Sequence, residues 1–249
     1  MYKTNRGLRE WTLDINTFIP EFVNKCSKWN INHSDVKFYS QQDEDKYIIQ
    51  YILKDKIHDG TFIELGAYDG IAYSNTKVLE EYFGFTGILV EPVKKLYDAL
   101  IKNRPKSKCY NCAISNKDTD LIDYIGYNGC AGIKETIAPG SKKYLPEKDI
   151  NNSYKVKNKT LSEIIKHSKL KYIDIISLDV EGGELEVLKS IDFNIPIFCI
   201  IIEAHSDEQE KNKIFGNYLK QQGFTFKERQ RGNEIWFNHN YFRKHLFNV

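Results

Sequence analysis

Residues 61–70 read Thr-Phe-Ile-Glu-Leu-Gly-Ala-Tyr-Asp-Gly, and this stretch decides the fold. Its first half is a short apolar run, a pattern typical of a buried strand. Its second half holds Gly66, Asp69 and Gly70, which are turn-forming residue types. The apolar spacing in the segment that follows, Ser74-Asn-Thr-Lys-Val-Leu-Glu80, predicts a helix. The stretch is therefore expected to form a strand and the turn that leads into a helix.

The same alternation of strand and helix continues along the chain. Strands are predicted at Thr61–Leu65, Gly87–Val90, Lys108–Ala113, Tyr172–Leu178, Ile197–Ile202, Phe224–Arg229 and Glu234–Asn238. Helices are predicted at Asn75–Tyr82, Val93–Asn103, Leu161–His167, Glu184–Ile191 and Glu208–Gln222. Runs such as Ile173-Asp-Ile-Ile-Ser-Leu178 are apolar on both faces, as strands covered by helices must be. This pattern favours a doubly wound, mostly parallel α/β sheet.

The two ends of the chain differ from this pattern. Only Gln230 to Asn233 separate the last two strands, so these strands form a hairpin and one of them must run antiparallel. Before residue 59, apolar residues recur at helical spacing. They are Trp11, Ile15, Phe18, Ile19 and Phe22, followed by Tyr47, Ile48, Tyr51 and Ile52. We expect a mostly helical segment at residues 1–58 and an α/β domain at residues 59–249. The first segment could form a lid, contact the acceptor or contact another subunit, and a homodimer is one of the possible assemblies.

Composition argues against several classes of protein. With 36 Lys and Arg against 34 Asp and Glu, bulk charge gives no support to a nucleic-acid partner. No apolar run approaches the ~20 residues that span a membrane, and the N-terminus lacks the apolar core of a signal peptide. The five cysteines include Cys109 and Cys112, but no second motif completes a zinc site. We expect a cytoplasmic protein, in the host cytoplasm if the Ile-, Asn- and Lys-rich composition reflects a large DNA virus.

The turn after the first predicted strand has the position of a ligand site, because doubly wound sheets bind ligands beyond the carboxyl ends of their strands. Its spacing is not GxGxxG and no Gly-Lys-Ser/Thr follows, which disfavours a pyrophosphate site and a P-loop. Its acids suit a ligand with a sulfonium and an ammonium group, for which Glu64 would balance charge and Asp69 would accept hydrogen bonds. The residues expected to contact such a ligand are Glu64, Gly66, Ala67, Asp69, Gly70, Ser74, Asn75 and Thr76.

The next two strand ends extend this site. The second predicted strand ends at Glu91-Pro92, and a carboxylate there can accept hydrogen bonds from both hydroxyls of a ribose. That feature indicates an adenosine ligand without distinguishing which one. Near the end of the third strand, Cys112 and Ala113 lie in the small-residue stretch Asn111–Ser115, which leaves room for an adenine ring.

With these pieces in place, the sequence resembles the FkbM family of methyltransferases over roughly residues 38–205. The motifs that carry the resemblance are Ser40-Gln41 with Glu44-Asp45, Gly66-Ala-Tyr-Asp-Gly70, Ser74-Asn-Thr76, Leu79-Glu80, Gly87-Ile-Leu-Val-Glu-Pro92, Asn111-Cys-Ala-Ile114, and Ile176-Ser-Leu-Asp-Val-Glu-Gly182 with Glu184. The resemblance implies a class I methyltransferase fold, Rossmann-like and mostly parallel with an antiparallel C-terminal hairpin strand. It also implies S-adenosylmethionine as the methyl donor and an oxygen acceptor, often on a sugar or natural product.

Two further strand ends carry candidate catalytic groups. A hydroxyl is a weak nucleophile, so its methylation needs a base or a metal ion. The fourth strand ends with Asp179 and Glu181, which are two residues apart and project to the same side of an extended strand. The fifth ends with Glu203 and His205 in the same arrangement. Carboxylate oxygens with an imidazole nitrogen could hold Mg²⁺ or Mn²⁺.

This layout is similar to that of the metal-dependent sugar O-methyltransferases of the macrocin type. The likeness implies Asp179 and Glu203 as metal ligands and Glu181 as the catalytic base. It makes His205 a ligand or a second base that contacts the substrate. Asp179 would also lie beside the cofactor.

The acceptor is expected to be a small molecule or a glycan. Gln41 and Glu44 would close over the site, and Tyr39 and Tyr127 would stack on a sugar or on adenine. The polar stretch from Asn128 to Asn152 is expected to be an extended loop at the site. Two alternatives stay open: a nicotinamide-dependent oxidoreductase on the same fold, and a binding domain that has lost its chemistry.

Overall fold

The computed structural model describes residues 24, 26, 31–53, 60–205 and 208–238. The described strands are β1 Thr61–Leu65, β2 Thr86–Val90, β3 Lys108–Tyr110, β4 Ala113–Ile114, β5 Leu121–Ile125, β6 Gly132–Ile133, β7 Tyr154–Lys159, β8 Ile173–Leu178, β9 Ile197–Glu203, β10 Thr225–Gln230 and β11 Asn233–Phe237. The described α-helices are α1 Glu44–Tyr47, α2 Lys77–Tyr82, α3 Lys94–Asn103, α4 Pro139–Lys142, α5 Glu147–Asn151, α6 Leu161–Ser168, α7 Glu184–Lys189 and α8 Gln209–Gln221. The helical stripe predicted between Trp11 and Phe22 lies outside the described residues.

The central sheet has seven strands in the order β10-β11-β9-β8-β1-β2-β3. Strands β3, β2, β1, β8 and β9 are parallel, whereas β11 pairs antiparallel with both β9 and β10. The predicted doubly wound sheet and its antiparallel hairpin strand are therefore confirmed. Six of the seven predicted strands and all five predicted helices have observed bounds within two residues of the expected ones.

Burial on both faces explains the apolar character of the central strands. Every residue of β1 and β8 is buried. Phe62 of β1 packs into a hydrophobic cluster on one face of the sheet, while its neighbour Ile63 packs into the cluster on the other face. Because side chains alternate along a strand, a strand covered on both sides needs apolar residues at consecutive positions.

The N-terminal part that the structure describes packs against the first of these faces. Helix α1 continues into a π-helical turn at Ile48–Ile52. The side chains of Tyr47, Ile48 and Ile52 are buried in the same hydrophobic cluster as Leu79 and Phe83. A chain division near residue 58 stays a prediction.

A second, smaller sheet departs from the prediction. Strands β4, β7, β5 and β6 lie in that order. The expected single strand Lys108–Ala113 is wrong, because it breaks between β3 in the large sheet and β4 in the small one. At the break, the side-chain amide of Asn111 donates to the carbonyl oxygens of Glu91 and Pro92, at 2.8 and 2.9 Å. These bonds hold the chain at the end of β2.

The stretch from Asn128 to Asn152 is also more ordered than an extended loop. It contains β6, α4 and α5. Pro139 lies in the first turn of α4 and Pro146 caps α5, positions that suit the fixed φ of proline. Ile137 and Leu145 pack with Ile125 in a small buried cluster that anchors the segment. Across the described residues, no helix is long and apolar enough to cross a membrane.

Glycine at position 87 is required by the contact between β1 and β2. A Cβ added to Gly87 would overlap the carbonyl oxygen and ring of Phe62, whereas one added to Gly232 would meet nothing within 4 Å. We expect Gly87→Ala to lower the free energy of unfolding by about 1–3 kcal/mol, the usual cost of overpacking a core. Gly232→Ala should leave it nearly unchanged. Urea denaturation of both variants checks this, and equal stabilities would contradict the packing argument.

Candidate active site

The parallel order of β2, β1, β8 and β9 brings four acidic strand ends to one edge of the sheet. Glu64 lies near the end of β1 and Glu91 directly follows β2. Asp179 directly follows β8, and Glu203 is the last residue of β9. The structure thus places the predicted acids of all four strands along the edge where doubly wound sheets bind ligands.

Gly66 lies where the first and fourth of these strand ends meet. Its φ is +79°, a left-handed conformation, and an added Cβ would overlap the carbonyl oxygen of Asp179. The N–H groups of Gly66 and Ala67 both donate to the carbonyl oxygen of Val90, at 3.1 Å. Glycine is needed here because no side chain fits, and the exposed backbone of Gly66 leaves this strand end open to a ligand.

The carboxylate of Glu64 points into the protein. It is buried and accepts hydrogen bonds from the hydroxyl of Ser74 at 2.9 Å, the N–H of Asn75 at 2.7 Å and the hydroxyl of Thr76 at 2.6 Å. A guanidinium nitrogen of Arg104 lies 3.7 Å away. The expectation that Glu64 balances a ligand's charge and that Ser74 and Thr76 contact the ligand does not fit this geometry, because all three side chains are buried and hydrogen-bonded to one another. Asn75 remains half-buried beside Asp179.

Two other predicted residues of this turn also serve its internal structure. A carboxylate oxygen of Asp69 accepts from the N–H groups of Ile71 at 2.9 Å and Ala72 at 2.8 Å. Gly70 is buried with φ +81°, and an added Cβ would lie 2.6 Å from Leu100 and 2.7 Å from Arg104. Only a glycine allows helix α3 to pack this closely against the turn.

Glu91 directly follows β2, where the sequence predicts an acid that contacts a ribose. It is buried, and its two oxygens accept from the N–H groups of Tyr68 at 3.0 Å and Val93 at 2.7 Å. Burial raises its pKa to about 8, although those two hydrogen bonds act in the opposite direction. Each oxygen keeps a lone pair for a further donor. Pro92, which follows Glu91, is half-buried. Cys112 and Ala113 are buried where β4 begins.

The tips of β8 and β9 form an acidic cluster of Asp179, Glu181, Glu184, Glu203 and His205. The pKa of Asp179 is raised well above its usual range, because the surrounding cleft displaces water and because Glu203 and Glu181 repel its charge. Burial, and then repulsion by Glu203, raises the pKa of Glu181 to about 7 and that of Glu184 to about 7. Burial lowers the pKa of His205, but its close contact with the carboxylate of Glu203 outweighs that effect and raises it to about 9.

Glu181 is held in a turn that is clamped from two sides. Its φ is +59°, unusual for a residue with a side chain. Its carbonyl oxygen accepts from the N–H of Ala138 at 2.8 Å, and Ser141 hydrogen-bonds its carboxylate. Lys211 of α8 donates to the carbonyl oxygen of Gly182 beside it. Strained backbone of this kind is typical of functional sites, where surrounding contacts over-determine it.

The donor atoms of Glu181, Glu203 and His205 lie within 4.8 Å of one another and could hold a metal ion. This set differs from the predicted ligands, because Glu181 takes the place of Asp179. Glu203 Oε2 and His205 Nε2 are 3.1 Å apart, yet both are buried without a well-directed hydrogen-bond partner. Two carboxylates and an imidazole are suitable donors for Mg²⁺ or Mn²⁺. A protonated His205, however, cannot be a ligand, so a metal ion would have to displace its proton.

A small open cleft lies beside this cluster. It is lined by Gln41, Gln42, Glu44, Tyr73, Asn75, Asp179, Glu203, Gly232 and Asn233. The turn at residues 41–44 is tied to the C-terminal hairpin, because the side-chain amide of Asn233 donates to Glu44 at 3.0 Å. Gln41, which the sequence predicts to contact the acceptor, lines this cleft, and its role there stays a prediction.

The two predicted stacking tyrosines differ in position. Tyr39 is absent from the residues that line the cleft. Its hydroxyl donates to Glu81 of α2 at 2.8 Å and its ring lies beside Lys77, so its expected substrate contact stays a prediction. Tyr127 stacks on Tyr154 with ring centroids 4.7 Å apart and remains 55% exposed. Its outer face is accessible to a flat ligand.

Three residues that the sequence analysis did not single out support this site. They are Arg104, Ser141 and Lys211. Each contacts a segment that is distant in the chain, and no local motif marks any of them. Arg104 ends an ordinary amphipathic helix, and Ser141 lies in a stretch that reads as polar loop.

Comparison with known proteins identifies the family. The family model described as Methyltransferase FkbM domain matches residues 64–229. No curated protein matches the chain. A methyltransferase FkbM from Methylobacillus flagellatus KT is 12% identical, with 92% of this chain and 60% of that chain covered and a TM-score of 0.46. The METTL16 methyltransferase domain is 12% identical, covered at 92% and 83%, with a TM-score of 0.46. Aeropyrum pernix fibrillarin, solved with S-adenosyl-L-methionine, is 11% identical, covered at 73% and 67%, with a TM-score of 0.41.

The raised pKa of Glu91 predicts a pH-dependent stability. The folded protein holds the proton of Glu91 up to about pH 8, whereas the ordinary pKa of this group is 4.5. The stability that this proton contributes is therefore fully present below pH 4.5 and is lost as the pH rises through about 8. We expect the free energy of unfolding without ligand, measured in urea, to fall between about pH 5 and about pH 9. The fall should be smaller in Glu91→Gln and unchanged in Glu210→Gln on the exposed side of α8. Identical slopes in all three proteins would contradict the role of Glu91.

Proposed function

We propose that this chain, which belongs to the FkbM methyltransferase family and uses S-adenosylmethionine as its methyl donor, methylates a hydroxyl oxygen of a sugar or glycan precursor. The observation that carries the proposal is the acidic cluster beside a polar cleft. There, Glu181 has a pKa near neutrality, which is what a general base that acts on a hydroxyl requires.

The open ends of β1 and β2 suit the donor. The two oxygens of Glu91 can accept from the ribose hydroxyls, and the exposed backbone at Gly66 allows the methionyl part to approach closely. When bound, S-adenosylmethionine supplies an electrophilic methyl group on a sulfonium centre. Asp179 lies at the adjoining strand end, where a bound cation would favour its ionised form against the repulsion of Glu203 and Glu181.

The acidic cluster can then manage the proton of the acceptor. The acceptor hydroxyl would give its proton to a carboxylate oxygen of Glu181 as its own oxygen takes the methyl group. The ion pair of His205 with Glu203 reduces the negative charge around Glu181, so the proton is taken up beside fewer unpaired charges. Ser141 and the Ala138 N–H hold Glu181 in place for this step.

The lining of the cleft favours a polyhydroxyl acceptor. Side-chain amides and carboxylates line most of it, including Gln41, Asn75 and Asn233, and such groups can accept hydrogen bonds from sugar hydroxyls or donate to them. The exposed ring of Tyr127 offers an apolar face for stacking. Among the described residues that line the cleft there is no Lys or Arg, which disfavours a phosphate-rich acceptor such as RNA. Membership of a methyltransferase family sets aside the oxidoreductase alternative.

Removal of the base should separate chemistry from donor binding. We expect Glu181→Gln to lower kcat by about 10²–10⁴-fold, the usual contribution of a general base, while the affinity for S-adenosylhomocysteine stays within about twofold. The assay follows transfer of labelled methyl from S-adenosylmethionine to a panel of free sugars, nucleotide sugars and glycosides, with RNA as a further acceptor.

Glu210→Gln, the same substitution on the exposed side of α8, is the matched control and should keep full activity. Methylation of RNA with no methylated sugar in the panel would overturn the proposed acceptor. Full activity of Glu181→Gln would overturn the assignment of the base. No transfer to any acceptor, with donor binding intact, would favour the inactive binding domain.

Metal depletion tests whether a divalent ion takes part in the proposed reaction. Glu181, Glu203 and His205 would hold a divalent ion, which would lower the pKa of a bound hydroxyl. Because the proton transfer described above needs only Glu181 as the base, we expect activity at neutral pH to survive dialysis against EDTA. If dialysis abolishes activity, and if Mn²⁺ or Mg²⁺ restores it whereas zinc does not, the cluster would be assigned a bound metal ion.

A further inference from the structure

Arg104 is fully buried beneath the turn that follows β1. Its Nε donates to Glu80 at 3.1 Å, and its terminal nitrogens donate to the carbonyl oxygen of Gly70 at 3.3 Å and to the hydroxyls of Ser74 and Thr76 at 3.1 Å each. The side chain exposes no surface, and its guanidinium carbon lies 5.4 Å from the centre of the Phe62 ring. A guanidinium with this many directed bonds fixes the position of every group it touches.

Three of the groups it touches, the carbonyl oxygen of Gly70 and the hydroxyls of Ser74 and Thr76, belong to one segment, residues 66–76, which we call the donor loop. The hydroxyls of Ser74 and Thr76 each donate to Glu64 and each accept from Arg104. The carboxylate of Glu64 at the end of β1 and the guanidinium at the end of α3 therefore hold the loop between them. Neither charge reaches the open side of the loop.

The residue before Arg104 holds the same loop from the other side. The side-chain amide of Asn103 donates to the carbonyl oxygen of Asp69 at 2.9 Å. Helix α3 thus bonds two consecutive carbonyl oxygens of the donor loop, those of Asp69 and Gly70. At the start of the donor loop, the N–H groups of Gly66 and Ala67 donate to the carbonyl oxygen of Val90, and the N–H of Tyr68 donates to the carboxylate of Glu91.

We propose that Arg104 is a positioning residue of the donor site, which holds the 66–76 loop in its ligand-binding conformation through Glu64, Ser74 and Thr76 without touching the ligand. The inference rests on the proposed placement of S-adenosylmethionine at this loop. It reassigns Glu64 and the two hydroxyls from ligand contacts to parts of the frame that sets the loop. Lysine cannot replace the arginine, because an ammonium group has three donors and lacks the planar fork that reaches the four acceptors Glu80, Gly70, Ser74 and Thr76.

The test compares donor affinity with turnover. In Arg104→Lys and Arg104→Met, we expect the Kd of S-adenosylhomocysteine, measured by titration calorimetry, and the KM for S-adenosylmethionine to rise about tenfold to hundredfold, the range that loss of charged hydrogen bonds carries. The kcat at saturating donor and the KM of the acceptor should change less than about threefold. Asn103→Ala, which removes a single bond to the loop, should raise the Kd by about threefold to tenfold.

Asp174→Asn is the matched control. Asp174 is also a buried acid, and it accepts from Thr61 N–H at 2.7 Å at the opposite end of β1. This variant should lose thermal stability without any change in the Kd. Unchanged donor affinity in folded Arg104→Lys, or the same loss of affinity in Asp174→Asn, would show that Arg104 is merely structural and would overturn the inference. If both Arg104 variants fail to fold, unchanged affinity in Asn103→Ala overturns it.

Calorimetry with S-adenosylhomocysteine needs no acceptor, so the outcome is independent of the acceptor's identity. Wild-type protein that binds the donor but methylates no sugar would reject the proposed acceptor and leave the role of Arg104 intact. Wild-type protein that does not bind S-adenosylhomocysteine would overturn the donor site and the inference together.

Discussion

The parallel pairing of β1 with β2 and β8 is the constraint on which the rest of the structure depends. Parallel strands end at the same edge, so residues from distant parts of the chain are brought together there. The approach is close enough that Gly66 can only be glycine, since the carbonyl oxygen of Asp179 occupies the space of a side chain. Everything that follows at the site, including the cleft and the acidic cluster, depends on that convergence.

Four acidic strand ends lie close together, and the cost of placing these acids side by side is reduced in two ways. On the donor side, Arg104 offsets the buried charges of Glu64 and Glu80, and hydroxyl donors satisfy the remaining lone pairs. Buried charges are tolerated when they are paired and hydrogen-bonded in this way. At the tips of β8 and β9, His205 is the one basic side chain among the described residues that is paired with the cluster of Asp179, Glu181, Glu184 and Glu203, and the pKa values of three of these acids are raised. The residues around Arg104 are thus held by paired charges and hydrogen bonds. The acids around His205 have raised pKa values, which allows Glu181 and Glu184 to exchange protons near neutral pH.

The small sheet and the segment around α4 connect these two groups to a surface for the acceptor. Gly182 admits the backbone of residues 136–138 at a distance that no side chain would allow, and Ser141 reaches the carboxylate of Glu181. Tyr124 of the same sheet is buried close to Glu91, Glu181 and Asp179. The small sheet and the segment around α4 therefore support Glu181 and lie close to Glu91 at the same time.

The sequence by itself determined the doubly wound sheet, the antiparallel hairpin, the family and the acids at each strand end, because apolar periodicity and glycine–acid turns are local patterns. Only the tertiary structure decided which acids are available. It turned Glu64 inward to Ser74 and Thr76, moved Tyr39 to helix α2, broke the third strand at Asn111 and joined Glu181 to Glu203 and His205. These outcomes depend on contacts between segments far apart in the chain. The direction of a side chain and the charge around it are properties of those contacts, and no local pattern encodes them.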